Sequence, residues 1–370
     1  MQLSYWEYKT WLSNIDFTVI GSGIVGLNCA LHLKIKHPKA KILVLEKGYL
    51  PQGASTKNAG FACFGSISEI IEDLRHHTVE EVIDLVQNRW DGIQLLRKTL
   101  GDQNIDFQQH GGHELFLNKD GELYERSLYD LDSINEMLKP VYKGIAFSKH
   151  KNVFNFKNIL ENYITNQYEG QIDTGMMMQS LLKLTQKKGI SILNNSTVES
   201  FSENNNRVIV KTDQFELSTK KLCIATNGFA TQFLDEDIKP ARAQVLITKP
   251  ISNLQIKGTF HMNEGYYYFR NVGDRILFGG GRNLDFRGEE THIFGTTEII
   301  QNKLKTLLGE TILPETKFEI ERSWSGIMGV GSQKKPIVKL LSNNVACGVR
   351  LGGMGIAIGS LVGKELAELV

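Results

Sequence analysis

No two cysteines in this chain are spaced Cys-x-x-Cys: Cys29, Cys63, Cys223 and Cys347 lie far apart. Neither a zinc site nor a disulfide framework is expected, and a reduced, cytoplasmic chain is the simplest account. Charge of one sign is also missing. Lys plus Arg is 42 against Asp plus Glu 41, a formal net charge of +1, so no global field holds nucleic acid or an anionic membrane. Residues 1–16 show no basic segment followed by an apolar core, and no later run reaches membrane-spanning length. The reading is a soluble, non-exported protein with neither a membrane span nor a nucleic-acid partner. Repeats and low-complexity tracts are absent as well. With 370 residues the chain can bury a large core, and more than one lobe is expected.

What is present begins with Val19-Ile20-Gly21-Ser22-Gly23-Ile24-Val25-Gly26, followed by a second apolar run, Ile42 to Leu45, that stops at Glu46. Together these make strand, glycine turn, helix and a second strand ending in an acid, which is a complete dinucleotide-binding unit. Gly21 permits the tight turn, Gly23 lets backbone approach a pyrophosphate, and Gly26 lets helix and strand pack closely. Amides at the helix start face the phosphates. Glu46 stands where a carboxylate bonds a ribose 2′-hydroxyl, and an acid there disfavours a 2′-phosphate.

Residues 47–57 are polar, and 58–65 are too rich in small residues for an amphipathic element, as in backbone held against a ligand. Thr78 to Leu100 reads as a helix with a Thr78/Glu81 capping box and a stop at Gly101. Gly112 to Leu117 and Gln244 to Thr248 read as strands. From near Ile172 a helix leads through Gly189 to a strand at 190–193, and Val198 to Val210 reads as paired strands. Leu222 to Ala225 is a buried strand opening on Thr226-Asn227-Gly228, the kind of strand end that makes a second cofactor contact. Between Pro240 and Glu319 the pattern turns antiparallel, with a hairpin joining Tyr266-Tyr267-Tyr268-Phe269-Arg270 to 275–279. Glycines return at 348, 352, 353, 355 and 359, ahead of an apolar helix. The expected fold class is α/β (α+β overall). A Rossmann-like nucleotide-binding lobe comprises the discontinuous segments 1–100, 166–240 and 320–370, and a mostly antiparallel β substrate lobe comprises 101–165 and 241–319.

The first motif alone does not separate NAD from FAD. The close glycines of Gly348 to Ala357 precede a helix whose free amides offset negative charge, which suits the N1/O2 edge of a reduced flavin. Ser4-Tyr5-Trp6-Glu7, the Gly21 to Gly26 turn with Glu46, Gly53 to Phe61, Arg242-Ala243-Gln244-Val245, the tyrosine hairpin with Gly279-Gly280-Gly281-Arg282, Trp324-Ser325-Gly326 and Gly352 to Ala357 occur in order. In these segments the chain resembles the D-amino-acid oxidase, glycine oxidase and sarcosine oxidase group of FAD-dependent amine oxidoreductases. It looks most like the gamma-glutamylputrescine oxidase-like branch. The resemblance implies an extended, non-covalent FAD with its pyrophosphate at Gly21, Ser22, Gly23, Ile24, Val25 and Gly26. Glu46 and Lys47 would meet the ribose, and Val198 the adenine side. Ser55, Thr56, Asn58, Ala59, Gly60 and Phe61, with Gly353, Met354, Gly355 and Ile356, would surround the isoalloxazine. The implied reaction takes a hydride to flavin N5 from the carbon beside a neutral amine nitrogen, leaving an imine that water hydrolyses. Partners would be a small-molecule amine or amino acid and oxygen or another acceptor, in a monomer or small homo-oligomer.

Tyr267 and Tyr268 point to opposite strand faces, so at most one of them, with or without Tyr266, should face the flavin. Arg270, Arg282 and Arg350 are candidates for a forked grip on a substrate carboxylate, Arg350 first, with Arg242 next. Trp324 is a candidate pocket wall. Met328 falls where amino-acid oxidases of the group carry a carboxylate-binding arginine, and Leu277 where sarcosine oxidases carry an oxygen-activating lysine. Lys57 is a possible substitute cation. Cys347 reads as a buried strand cysteine, and Cys63 as the thiol nearest the ring. His110 and His113 lack a neighbouring acid, and no metal is expected. The alternatives are an FAD-dependent 2-hydroxy-acid dehydrogenase and an RNA-modifying flavin module or interaction subunit.

Overall fold

Ile42–Leu45 is apolar at every position and every side chain is buried, as in a parallel strand covered on both faces. It pairs in parallel with Ile15–Ile20, which pairs in parallel with Glu216–Ile224 on its other side. These strands are the centre of an eight-stranded sheet in the computed structural model, which describes residues 2–370. Ser191–Leu193 extends the sheet beyond Ile42–Leu45, and Val345–Val349 joins the far side of Glu216–Ile224. Helices Ile24–Lys36, Val79–Leu100 and Gly355–Glu368 contribute Ile24, Val86, Ile93, Ala357 and Val362 to one large core over this sheet. The Val79–Leu100 helix has the expected capping box and ends at Gly101.

A second eight-stranded sheet runs in the order 320–330, 239–248, 275–280, 267–272, 259–262, 112–115, 162–166, 147–151. It is antiparallel except where Thr259–Met262 meets Gly112–Leu115. Its core is aromatic, with the Phe260 and Phe269 rings stacked at 4.5 Å. Two expectations about lobe boundaries need correction. Residues 320–330 belong to this sheet and not to the nucleotide lobe, because Ile320–Val330 satisfies its backbone along Lys239–Thr248, from Val330 opposite Lys239 to Ile320 opposite Thr248. Residues 101–165 are divided: their strands join the second sheet, while helix Gly121–Tyr142 buries Ile134, Leu138 and Tyr142 in the core shared with the nucleotide-lobe helices. Among the described residues, no helix is long and apolar enough to cross a membrane.

One close approach in the nucleotide lobe lies in its first turn, where a Cβ on Gly26 would overlap the Gly21 carbonyl oxygen and press the Val19 side chain. Both neighbours are fixed by the sheet. Gly26→Ala is therefore expected to destabilise the fold by about 1–3 kcal/mol, the usual range for overpacking. Chemical denaturation of the two proteins checks it, and equal midpoints would refute it.

Candidate active site

The carboxyl ends of Ile15–Ile20, Ile42–Leu45 and Glu216–Ile224 open on one cavity of about 660 Å³ that continues to the antiparallel sheet. At the strand end it is lined by Gly21, Gly23, Ile24, Val25, Glu46 and Lys47. Gly23 caps the Ile24–Lys36 helix without a side chain. Of the helix's first amides, that of Ile24 donates to Ser55 Oγ at 2.9 Å. Glu46 is buried, and its Oε2 accepts from the Ser22 amide at 3.1 Å and the Ser22 hydroxyl at 2.8 Å. Its Oε1 accepts from the Gly48 amide at 3.0 Å. The carboxylate is thereby fixed at the cavity wall with further lone pairs for a ligand. Lys47 Nζ lies 3.6 Å from the Phe229 ring centre, and Val198, Thr226 and Asn227 complete this end.

The other end is floored by Asn58, Ala59, Gly60, Phe61 and Cys63 and faced by Gly353, Met354, Gly355 and Ile356. Asn58 shapes its own loop: its amide nitrogen donates to Ser55 O at 2.9 Å and its Oδ1 accepts from the Gly60 amide at 2.8 Å. Asn227 Oδ1 accepts from the Leu351 amide at 3.2 Å, tying the carboxyl-terminal glycines to the strand end. The Gly355–Glu368 helix also starts without a side-chain cap. Four predicted cofactor residues stand behind the wall instead of on it. Ser22 orients Glu46, Gly26 serves close packing, the Thr56 hydroxyl donates to Pro51 O at 2.6 Å, and Gly228 packs against the Met328 carbonyl.

Among the predicted substrate residues, Tyr268 lines the cavity and Tyr267 does not. Tyr267 points into the aromatic core beside Phe278, because the hairpin register sends alternate side chains to opposite faces. A Cβ on Gly279 would stand 2.6 Å from the Tyr268 ring, so glycine there makes room for it. Burial pushes the Tyr268 phenol up to about 12. Tyr266 lines the mouth.

The arginines divide differently from the expectation. Arg350 does not reach the cavity: its Nη1 pairs with Asp237 at 2.9 Å and its Nη2 donates to Lys335 O at 2.9 Å. Arg242 is paired with buried Glu289 at 2.8 Å. Arg270 donates to the carbonyls of Ala59 at 2.5 Å and Ile172 at 2.9 Å. Arg282 lines the cavity. Trp324 is no pocket wall; its Nε1 donates to Lys57 O at 3.0 Å, and its ring packs on the cluster of Val245, Leu277 and Tyr268. Met328 and Lys57 do line the cavity, and Leu277 is buried behind it. Cys63 lies on the wall with its thiol raised well above the ordinary value by burial and by Glu169 and Glu69. Cys347 is buried in its strand, its thiol pushed up to about 11 by burial.

Residues the sequence reading passed over are the acids Glu69, Glu72 and Glu264 and the cation Lys334, all on the cavity wall. The capping box Ser66-x-x-Glu69 was a signal for the helix Ile67–His76, but not for the cavity beyond it. Behind Glu69, His261 lies 3.7 Å from Glu169. Burial would lower His261, yet Glu169, Glu69 and Glu114 hold its pKa above the ordinary value. Burial would likewise raise Glu69, but His261 and Lys334 outweigh it and the pKa falls. Glu114, beside Ser68, is pushed up to about 7, chiefly by burial.

Known proteins share this architecture along most of the chain. Glycine oxidase from Geobacillus kaustophilus superposes with a TM-score of 0.76 over 96% of this chain and 94% of its own, at 15% identity. L-proline dehydrogenase from P. horikoshii superposes with a TM-score of 0.75 over 96% and 93%, at 18% identity. In sequence, the probable oxidoreductase OrdL of Haemophilus influenzae is 22% identical, with 98% of this chain and 84% of that protein aligned. The sequence model of the family described as FAD dependent oxidoreductase matches residues 16–369, nearly the whole of the fold that surrounds the cavity. The chain therefore belongs to that family and is an FAD-dependent oxidoreductase.

Proposed function

We propose that this enzyme holds FAD extended along the cavity and oxidises a small amine or amino acid at the carbon beside its nitrogen. The observation that carries the reading is the single cavity running from the Gly21 to Glu46 end to Tyr268 on the antiparallel sheet. The residues fit the cofactor. A glycine turn without a capping side chain faces where phosphate would lie, a fixed buried carboxylate ends the second strand, and a second uncapped helix start faces the ring end. Glycine oxidase and L-proline dehydrogenase, which share the fold, are named for amino-acid chemistry.

When bound, FAD accepts the hydride that leaves the carbon next to the amine, and the resulting imine then takes up water. The protein's part is placement. Gly21, Gly23, Ile24 and Val25 present backbone to the pyrophosphate, with Glu46 on the ribose and Val198, Thr226 and Asn227 toward the adenosine end. Asn58 to Phe61 and Gly353 to Ile356 hold the two sides of the ring. Positive partial charge at the start of the Gly355–Glu368 helix favours electron density at the ring edge. Tyr268, whose phenol stays protonated at neutral pH, offers an O–H to the substrate. Its hydroxyl has no partner among the described residues. The apolar cluster of Ala59, Val245 and Leu277 behind it keeps water away.

Three measurements check this reading. Anaerobic mixing of the FAD-loaded protein with amines, amino acids and hydroxy acids should bleach the flavin absorbance with a nitrogen-bearing substrate, and admitted air then reports whether oxygen is the acceptor. Bleaching by hydroxy acids alone, or protein that binds no FAD, would sink it. Glu46→Gln is expected to weaken FAD binding about tenfold, the effect of one hydrogen bond to a charged group; an unchanged fluorescence titration argues against the ribose assignment. Tyr268→Phe should slow flavin reduction about tenfold with FAD affinity intact, and a rate equal to wild type would remove Tyr268 from the site.

A further inference from the structure

Amine oxidation needs a proton acceptor, because an aliphatic amine is an ammonium ion at neutral pH and hydride leaves only from the carbon beside a neutral nitrogen. Among the described residues four acids line the cavity. Glu46 is held at the nucleotide end by Ser22, Glu72 pairs with Arg75 at 2.6 Å and His76 at 3.1 Å, and Glu264 is exposed in the turn before Tyr266. Glu69 differs. Its Oε2 accepts from the Ser66 amide at 2.9 Å, its Oε1 has no hydrogen bond among the described residues, and it interacts with His261 in the protein interior. The Tyr268 phenol, pushed up to about 12, already holds its proton and cannot serve as the acceptor.

The segment that follows the cavity floor builds a buried acid cluster behind Glu69. Between Phe64 and Ser68 four backbone amides point at three carboxylates. Those of Phe64 and Gly65 donate to Glu169 Oε1 at 2.8 Å and 3.3 Å, that of Ser66 to Glu69, and that of Ser68 to Glu114 at 3.0 Å. His261 completes the cluster from the antiparallel sheet. Tyr268, His261 and Glu114 stand directly opposite one another on three adjacent strands, so their side chains leave one face of the sheet in a row that begins at the cavity. The Phe61 ring meets His261 edge to face at 5.3 Å, as it does Tyr268. His261 Nε2 is buried without a hydrogen bond, 3.7 Å from Glu169 Oε2. The cations that act on this group are Lys334 and Arg89, whose Nη1 donates to Phe64 O at 2.6 Å. Of its other titratable neighbours, burial keeps Cys63 and Tyr142 protonated, and His113, lowered to about 3, stays neutral.

Three carboxylates around one imidazole share protons and titrate as a unit. The consequence is one of magnitude. An ordinary carboxyl would take the proton of an ammonium ion about a millionfold against equilibrium, whereas a group that titrates at about 7, as Glu114 does, reduces that to about a thousandfold.

We propose that Glu69 removes the proton from the substrate's ammonium group and that the cluster of His261, Glu114 and Glu169 behind it takes that proton up. The N–H bond breaks with its electron pair left on nitrogen, an O–H bond forms on Glu69, and the proton comes to rest on Glu114. The nitrogen, now neutral, carries the lone pair that expels hydride from the neighbouring carbon. The inference rests on the amine-oxidising reading above and adds the group that prepares the substrate. Glu69 meets the substrate, and His261, Glu114 and Glu169 are positioning residues that act through it.

Anaerobic reduction of the FAD-loaded enzyme by saturating glycine, L-proline or benzylamine, whichever bleaches wild type fastest, is followed across pH. Wild type should lose rate as pH falls through about 7, where the cluster is already protonated, and change less than about threefold at higher pH. In Glu69→Gln the proton has to leave to water, so the rate should climb about tenfold per pH unit towards about pH 10. It should then lie about 100-fold below wild type at about pH 7 and within about threefold of it at about pH 10. That recovery separates a lost base from a damaged site. Glu114→Gln should move the limb of the profile to lower pH, because Glu69 ionises below the ordinary carboxylate range. A readout without substrate accompanies these rates: infrared difference spectra of the amine-free protein should show a carboxyl band that titrates near about pH 7 in wild type and is missing from Glu114→Gln. A Glu69→Gln profile parallel to wild type, or no such band in wild type, would overturn the proposal and leave the oxidation reading standing. Protein that no amine reduces would refute both.

Discussion

The guanidinium of Arg270 joins the antiparallel sheet to the loop that floors the cavity, and the cavity depends on that junction. Arg270 lies in the strand Tyr267–Val272 of the antiparallel sheet, yet its donors reach the carbonyls of Ala59 and Ile172 in the nucleotide lobe. It is buried and its ordinary pKa is lowered to about 10, chiefly by burial, so it stays charged at neutral pH. Among the described residues backbone carbonyls are its only direct acceptors, and distant Asp173 and Asp106 supply the field that helps keep the charge. Gly60 sits between these partners at φ +73°, and a Cβ there would stand 2.8 Å from Arg270 Nη2 and overlap the Ile172 carbonyl. The loop Asn58 to Phe61 is thus clamped between its own asparagine and an arginine of the other lobe. Tyr268, two residues before Arg270 in the same strand, meets Phe61 edge to face at 5.5 Å between ring centres. One strand therefore fixes both the cavity floor and the residue that faces it.

This geometry explains which parts of the site were legible in the sequence. The glycine turn and Glu46 were legible because their logic is local: a tight turn, a helix start and an acid one strand later are consecutive in the chain. The hairpin was legible too, and so was the rule that Tyr267 and Tyr268 face opposite ways. Which of them faces the cavity was not, since that phase is set by the register against Thr259–Met262 and Arg275–Gly280. The boundary at 320 failed for the same reason. Nothing within Ile320–Val330 announces that its partner is Lys239–Thr248, some eighty positions earlier along the chain by the paired register.

The arginines show the limit most clearly. Arg242, Arg270, Arg282 and Arg350 have identical chemistry, and proximity to a glycine motif ranked Arg350 first. Their actual roles are decided by distant partners: Glu289 for Arg242, Ala59 and Ile172 for Arg270, Asp237 and Lys335 for Arg350. Each of these arginines offsets its own burial with an acceptor far away in sequence. Arg282 differs because no such acceptor arrives among the described residues, and only the three-dimensional structure reveals it. An arginine's function in this fold is read from what its partners leave free.

Helix ends also differ in what completes them. The helices that begin at Ile67, Val79 and Thr174 each satisfy a first-turn amide with the side chain of Ser66, Thr78 or Asp173. The helices that begin at Gly121 and Glu298 lack such a cap, and so do those that begin at Ile24 and Gly355, which open on the cavity and have no cap from their N-cap residue, although Ser55 Oγ accepts from the Ile24 amide. A missing cap costs about 1 kcal/mol at a helix start, and at these two places it leaves amides and the positive end of the dipole facing the space where the proposed FAD carries its charge. Binding would return that cost, because a ligand that meets only the folded chain stabilises it by mass action. The close packing at Gly26, the Glu46 loop and the clamp on Asn58 to Phe61 then form one arrangement around the space the proposed FAD would fill.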